Sequence, residues 1–502
     1  MDSATFVIIG SGVFGLSTAF HLRRLYPNVK VILIDRTRGD RPNRGAASSD
    51  FNKIIRADYP DPQYMKIALE AQESWRTDPV FKPHYHECGM LFAEEIGMGQ
   101  ASFENYRSLG VETRSEILSK EEALNRFPIF QDANWTGVKE NYFNPQSGWG
   151  EADEAVASFF TATLASGVEF IEATAEKLVL DSDGNCAGVV ISEAGGLSRE
   201  FLADRTILCV GAYTEKFLAD TAPERSELQV NGRLIAAGAI QCKATYPPEY
   251  EEQLSKAPVH FLGMWHTHGS YGHIELGYSL LSRPCTLRCD ILLTYRVLLF
   301  VWLGESIPAF KGLLKFNCEV SFTNMTRHDG LGRDISVPPT ADTQTSWNQN
   351  VPEGLKQEVA NVFKNTYGSH VPGIEIQSYR TCWDAVSPNQ DLIIDYHPKC
   401  ANLVIASAGS FHSWKFLPNI GEYVVKRIFN TLDEDLVRKW AWDRENTGAA
   451  CEMYEPTRDI KSIGDFKGWP RTAAAESGVA SWGKRLEGIY LFVRKHLRLS
   501  HS

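Results

Sequence analysis

Apolar residues open the chain as a block, Phe6-Val7-Ile8-Ile9, and a second block runs from Val29 to Ile34. Between them, apolar positions recur at helical spacing from Leu16 to Leu25. Solid apolar blocks of this length predict buried strands, and the intervening period predicts a helix. The same reading gives a helix over 64–75, a strand at 89–92, a helical piece over 120–127 and a longer helix over 151–166. Short strands follow at 168–173, 175–180 and 187–191, the last two joined by the turn-forming run Asp181-Ser182-Asp183-Gly184. Thr206 to Val210 is a further apolar strand, ending in Gly211-Ala212-Tyr213 and a helix. Beyond 225 the pattern is β-rich to about 325, and a helix is predicted over 353–363. Strands at 392–395 and 403–406 then precede a last helix after Pro418.

The first junction reads Gly10-Ser11-Gly12-Val13-Phe14-Gly15, and Asp35 closes the second strand. Strand, glycine-rich turn, helix, strand and acid is the layout of a dinucleotide-binding βαβ unit. Gly10 permits the tight turn, Gly12 lets the backbone approach a pyrophosphate, and Gly15 lets the helix pack on the sheet. The helix N-terminus offers free N–H groups to the phosphates, and Asp35 would accept hydrogen bonds from a ribose. Glycine-rich turns also serve ordinary strand-to-helix connections, so the flanking strands and the acid carry the reading.

With 502 residues, the chain is expected to form two or three domains at about 100–200 residues each. A net charge of −11 without a basic run argues against a nucleic-acid partner. Asp2 stands where a signal peptide has basic residues, and glycines interrupt the first apolar block, so that block reads as a strand. The strongest later apolar stretch, 291–303, contains Arg296 and falls short of the ~20 residues that span a bilayer. Ten scattered cysteines predict free thiols in a reducing compartment. The C-terminal Arg498-Leu499-Ser500-His501-Ser502 is not a peroxisomal address of the Ser-Lys-Leu type, which favours the cytoplasm and leaves the peroxisome open.

Several chemically active residues sit in apolar settings, where a charge is costly unless it faces a cleft or a partner. Lys53 and Arg56 interrupt Phe51-Asn52-Lys53-Ile54-Ile55-Arg56, and Lys315 lies in Leu313-Leu314-Lys315-Phe316-Asn317-Cys318-Glu319. Cys382 falls in Tyr379-Arg380-Thr381-Cys382-Trp383-Asp384, and Lys415 in Ser413-Trp414-Lys415-Phe416-Leu417-Pro418. The plain alternatives are solvated surface cations and a buried free thiol. Together with the two glycine junctions, these segments resemble the monomeric sarcosine oxidase family. Within it, the fungal fructosyl-amino-acid oxidases (amadoriases) and the pipecolate and saccharopine oxidases are most alike. The likeness runs in order over roughly 5–255 and 312–435.

The resemblance implies FAD rather than NAD, oxidation of a C–N bond with a hydride equivalent passing to the flavin, and reoxidation by O2 to give H2O2. It places Gly10, Ser11, Gly12, Val13, Phe14, Gly15, Asp35, Arg36, Ser48, Gly211, Ala212 and Lys415 around the cofactor, with Cys382 as a thioether tether. Lys315 matches the lysine on the face where oxygen reacts, and Lys53 lies beside the ring. Arg56 and Lys415 match a substrate-carboxylate clamp. Glu319 matches an acid that contacts the sugar of amadoriase substrates, or pairs with Lys315 on the same strand face.

The implied fold is α/β, α+β overall, glutathione-reductase-like and D-amino-acid-oxidase-like. A discontinuous Rossmann-type FAD domain covers 1–85, 150–225 and 378–435, a β-rich substrate domain covers 86–149 and 226–377, and a helical tail covers 436–502. The expected partners are a small-molecule amine and O2, with neither nucleic acid nor membrane, on a monomer. The substrate is a secondary amine carrying a carboxylate, oxidised as the neutral amine. Three other readings stay open: a biosynthetic oxidation with ring closure in fungal secondary metabolism, a flavoprotein without turnover, and an NAD-dependent dehydrogenase. Residues 258–311 depart from the family pattern. Their His266, His268, His273, Cys285 and Cys289 lack an established zinc spacing, so no metal is expected.

Overall fold

The first apolar blocks form strands Thr5–Ile9 and Lys30–Asp35, joined by helix Val13–Leu25. A computed structural model describes residues 4–37, 45–94, 97–193, 196–263, 304–339, 349–445 and 456–464. The two strands lie inside a six-stranded sheet in the order Ile393–Tyr396, Leu403–Ser407, Arg205–Leu208, Thr5–Ile9, Lys30–Asp35, Glu169–Glu172. Every neighbouring pair is parallel except the first. All five residues of Leu403–Ser407 are buried, which is why these strands read as continuous apolar runs rather than alternating ones. Helix Ile420–Ile428 packs on Val13–Leu25, where Gly421 lies against the Ser17 backbone and a Cβ would clash.

The second sheet has eight strands, in the order Glu375–Val386, Ile235–Thr245, Leu313–Phe322, Gly304–Phe310, Val259–Gly263, Met90–Glu94, Glu140–Asn144, Glu116–Leu118. Its pairs are antiparallel apart from Val259–Gly263 with Met90–Glu94. Helix Glu353–Tyr367 covers it, burying Leu355, Val359 and Val362 against Leu314 and Phe316. In a third sheet Gly148–Glu151 is the central strand, paired antiparallel with Asn52–Ile55 on one side and Tyr85–His86 on the other.

The expected boundaries shift in three places. Residues 378–386 belong to strand Glu375–Val386, paired with Ile235–Thr245 along its length, and so lie in the large sheet. The atypical segment narrows to 264–303, because its expected ends are regular strands. Val259–Gly263 and Gly304–Phe310 pair antiparallel with Leu262 opposite Gly304, and Ile307 stands opposite Lys315 in the next pair; residues 264–303 lie outside the described residues. The five histidine and cysteine candidates there lie outside the described residues. The tail contributes helix Glu434–Lys439 and, further on, Ile460, which is buried in the core of the large sheet; residues 446–455 and 465–502 lie outside the described residues.

Candidate active site

A cavity of about 420 Å³ lies where the C-terminal ends of the parallel strands meet one face of the large sheet. Strand alternation aims Lys315, Asn317 and Glu319 into it from one strand and Ala239 and Gln241 from the next. Of the residues proposed from sequence, all but Ser11 and Gly15 line this space.

At the nucleotide end, Gly10 has φ +100°, and a Cβ there would sit 2.5 Å from the Cys209 carbonyl oxygen. A Cβ on Gly15 would run into the Gly10 carbonyl. Gly12 differs, since its nearest neighbour would be Ser48 Oγ at 3.5 Å, an ordinary contact. Protein packing alone therefore does not demand glycine at 12; the room belongs to the cavity. Ser48 Oγ is buried there with no partner among the described residues. The Ser11 N–H and hydroxyl donate to Asp35 Oδ2 at 2.6 and 2.9 Å, and the Thr37 N–H donates to Oδ1 at 3.0 Å. The Arg36 guanidinium packs on the Tyr213 ring at 4.9 Å.

At the other end, Lys315 and Lys53 share one buried anion that sequence reasoning missed. Lys315 Nζ donates to Asp50 Oδ2 and to the Asn52 carbonyl, both at 2.7 Å, and Lys53 Nζ lies 3.0 Å from the same Oδ2. Burial opposes ionisation of Asp50, but Lys315, Lys53 and Arg380 outweigh it and hold the carboxyl below the usual range. Burial carries Lys315 below its ordinary value despite Asp50, whereas for Lys53 the fields of Asp50 and Cys382 prevail over burial and raise it. The buried Cys382 lines the same cavity, opposite Ala239 in the sheet.

Arg56 and Lys415 meet around Tyr59. The guanidinium stands 4.6 Å from the Tyr59 ring centroid and Lys415 Nζ 5.3 Å from it. Lys415 donates to the Tyr59 hydroxyl at 2.9 Å and to the His412 carbonyl at 2.6 Å, and its own carbonyl is held by Trp75 Nε1 at 2.8 Å. Burial first, and Arg56 second, push the Lys415 ammonium well below its ordinary range. Neither Arg56 nor Lys415 forms an ion pair with a carboxylate among the described residues. His412 Nε2 faces the Gln390 carbonyl at 2.9 Å and must be the protonated nitrogen, leaving Nδ1 to accept from the Tyr59 hydroxyl at 3.2 Å.

Two further devices hold this end in place. Asp58, fully buried, accepts from Tyr142, Asn144, Ser147 and Tyr106, and the Arg56 guanidinium donates to the Asp58 carbonyl. The loop before Lys415 keeps Ala408, Ser410 and Phe411 at φ +61°, +48° and +62°. Such backbone costs about 1–3 kcal/mol per residue and persists only where its surroundings impose it. Here the Phe411 N–H donates to Asp384 Oδ2 at 2.9 Å, and the Ser410 N–H to the Ala385 carbonyl at 2.9 Å.

Residues 5–273 match the DAO family of FAD dependent oxidoreductases, more than half of the chain. The chain belongs to that family. This oxidoreductase is 26% identical over 480 residues to an L-saccharopine oxidase of Schizosaccharomyces pombe, across 93% of the chain and 98% of the relative. It is 22% identical over 427 residues to a monomeric sarcosine oxidase of a Bacillus species, across 83% and 90%. A crystallised fructosyl peptide oxidase superposes with a TM-score of 0.71 at 22% identity, covering 94% of this chain and 100% of that one, which shows a shared fold.

FAD is the cofactor of the oxidoreductase, and the cavity suits it. Gly12 leaves space that a Cβ would fill, Ser48 Oγ is an orphaned donor beside it, and the first turn of helix Val13–Leu25 carries no acid to repel phosphate. Asp35 has about four lone-pair sites, of which three are used, leaving capacity for a hydroxyl. Among the described residues no group of histidines, cysteines and acids could hold a metal, and no helix is long and apolar enough to cross a membrane.

Proposed function

We propose that this oxidoreductase oxidises the C–N bond of a secondary amine that carries a carboxylate, giving an imine and H2O2. The observation that supports this most is the pair of cations, Arg56 and Lys415, converging on Tyr59 at the inner end of the cavity. Lys415 spends two of the three N–H bonds of its ammonium on Tyr59 and His412, and the third has no partner among the described residues. A carboxylate received there by an Arg fork and a fixed ammonium is anchored in position and orientation.

When bound, FAD supplies the hydride acceptor and passes the electrons to oxygen. The chain's own residues do the rest. Arg56 and Lys415 hold the carboxylate so that the neighbouring C–H is presented to the cofactor. Lys315, fixed by Asp50 and the Asn52 carbonyl, would supply a preorganised cation for the negative charge that develops during oxygen reduction. Lys53 shares Asp50 and lies on the Cys382 side. The substrate nitrogen must arrive unprotonated, because an ammonium has no lone pair to support hydride loss.

Cys382 is the proposed tether, through a thioether to the flavin. The wild-type protein should then keep its yellow colour in the pellet after acid precipitation, and Cys382→Ala should release it. A panel of secondary amines with and without a carboxylate, followed by anaerobic bleaching of the flavin and by peroxide release in air, tests the function. Reduction by carboxylate-free amines alone would overturn the reading.

A further inference from the structure

Two lysines far apart in the chain reach one carboxylate oxygen. Asp50 Oδ2 accepts from Lys315 Nζ at 2.7 Å and from Gln241 Nε2 at 3.2 Å, and Lys53 Nζ stands 3.0 Å from it. The Asp50 side chain is fully buried, Lys315 is 1% exposed and Lys53 17%. Contacts that involve neither lysine fix the loop that Asp50 ends. Arg380 donates to the Ser49 and Ala46 carbonyls, and the Ser49 hydroxyl and Asp50 N–H both donate to Asp153 Oδ1, at 2.8 and 2.9 Å. Asp50 Oδ1 in turn takes the Phe51 N–H at 2.7 Å.

Two ammoniums on one carboxylate leave a positive excess inside the protein. Burying an ammonium costs free energy that a nearby anion offsets, and a second ammonium beside it adds repulsion. Lys315 shows the balance: burial lowers its proton affinity first, Asp50 raises it and Lys53 lowers it again. The groups around it do not replace Asp50. Strand pairing sets Lys243 and Ile307 on either side of Lys315, a base and an apolar residue. Arg380, which acts on Asp50, is a further cation, and Cys382 carries no charge as a thioether. Asp153, on helix Ala152–Ala165, has its carboxyl raised by burial and its Oδ1 occupied by Ser49 and Asp50. Glu319, on the same strand as Lys315, and Glu305, on the next, bear on Lys415.

Resting on the assignment of Lys315 to the oxygen step, we infer that Asp50 is a positioning residue whose one carboxylate, divided between two lysines, keeps Lys315 an ammonium at the cavity wall. An amide in the same place would still accept from Lys315, so Asp50→Asn separates charge from placement. Without the charge, two buried amines share a neutral partner, and the deeper one, Lys315, loses its proton first. No bond forms or breaks at Asp50, and no electron passes through it. What it contributes is the proton that Lys315 retains.

The test follows reoxidation of the reduced flavin by O2 from about pH 6 to about pH 10, and separately titrates the absorbance of oxidised, substrate-free holoenzyme over that range. Asp50→Asn should reoxidise at least about tenfold more slowly than wild type at about pH 8, and recover in acid by about tenfold per pH unit. Its absorbance should change with the same midpoint, and that change should be absent when Lys315→Met is added. Adding Lys53→Met to Asp50→Asn removes the competing cation and should move the transition to higher pH. A rate equal to wild type at every pH, a rate lowered by one factor at every pH, or a transition that Lys53→Met leaves in place overturns the inference. Should Asp50→Asn fail to hold its flavin, Lys53→Met alone decides. With Asp50 undivided, the alkaline fall of the wild-type rate should move to higher pH, and an unmoved fall overturns the inference. If Lys315→Met reoxidises at the wild-type rate, the oxygen assignment falls, and the absorbance titration of Asp50→Asn still decides whether Asp50 holds the proton on Lys315.

Discussion

Lys315 and Lys415 are both buried amines in one cavity, yet their partners give them different work. Lys315 is tied to Asp50, so Lys315→Met removes a cation from a fixed place without disturbing the carboxylate clamp. Reoxidation of the reduced flavin by O2 is expected to slow by roughly two orders of magnitude, equivalent to about 3 kcal/mol, with anaerobic reduction by substrate much less affected. Stopped-flow measurement of the two half-reactions checks this, and an unchanged reoxidation rate removes Lys315 from oxygen chemistry. Lys415 faces Arg56, Tyr59, His412, Glu305 and Glu319, and its proton is held weakly because burial and Arg56 oppose it. Only the protonated form attracts a carboxylate. The dissociation constant of an amine-free carboxylate ligand should therefore rise as pH climbs through this lowered pKa, about tenfold per pH unit above it, and Lys415→Met should bind weakly with no such dependence. The cations themselves were legible in the sequence because charge inside an apolar run is unusual. Asp50 was not, since it ends a polar loop where an acid is unremarkable, and its meaning depends on Lys315, far away in the chain. Glu305 was hidden in the same way, as a polar residue whose place opposite Asn317 only the sheet register reveals.

Solid apolar strands and glycine turns could be read one element at a time, because a parallel strand buried on both faces writes its environment into every residue. Strand Glu140–Asn144 was missed for the opposite reason. It contributes Tyr142 and Asn144 to the hydrogen bonds around Asp58, and polar residues in a short strand resemble a loop. The segment 264–303 looked like a disturbance of the substrate domain, yet the strands at its ends are hydrogen-bonded neighbours. A two- to five-residue turn is enough to join such a pair. Replacing 264–303 by a short glycine-containing turn should leave flavin content and the unfolding midpoint close to wild type. Loss of bound flavin in the shortened protein would show that the excursion supports the cavity.

At the scale of the whole molecule, two histidines buried away from the cavity, His260 and His397, bear on stability. His260 is 1% exposed, stacks on the Phe130 ring at 4.3 Å, and neither of its nitrogens has a partner among the described residues. Burial pushes its pKa down to about 3, against about 6.5 in the unfolded chain. Between those values the unfolded state binds more protons, so stability falls as pH drops below about 6.5. His397, lowered to about 4 by burial and then by Arg233, acts in the same direction. His260→Phe should therefore lose about 2 kcal/mol less stability than wild type between pH 7 and pH 5, read from urea unfolding at both values. Equal losses would mean that His260 is not neutral inside the fold.

The cavity walls come from both ends of the chain, from Gly10 near the start to Lys415 far along it. Synthesis is directional, at about 5–20 residues per second, so the glycine turn leaves the ribosome roughly tens of seconds before the last wall exists. Strand Glu375–Val386, with Cys382, is also the last of its sheet to be made. If the proposed site holds the cofactor, its capture is expected only near the end of translation, since a chain stalled before Lys415 has the glycine turn without the rest of the cavity wall.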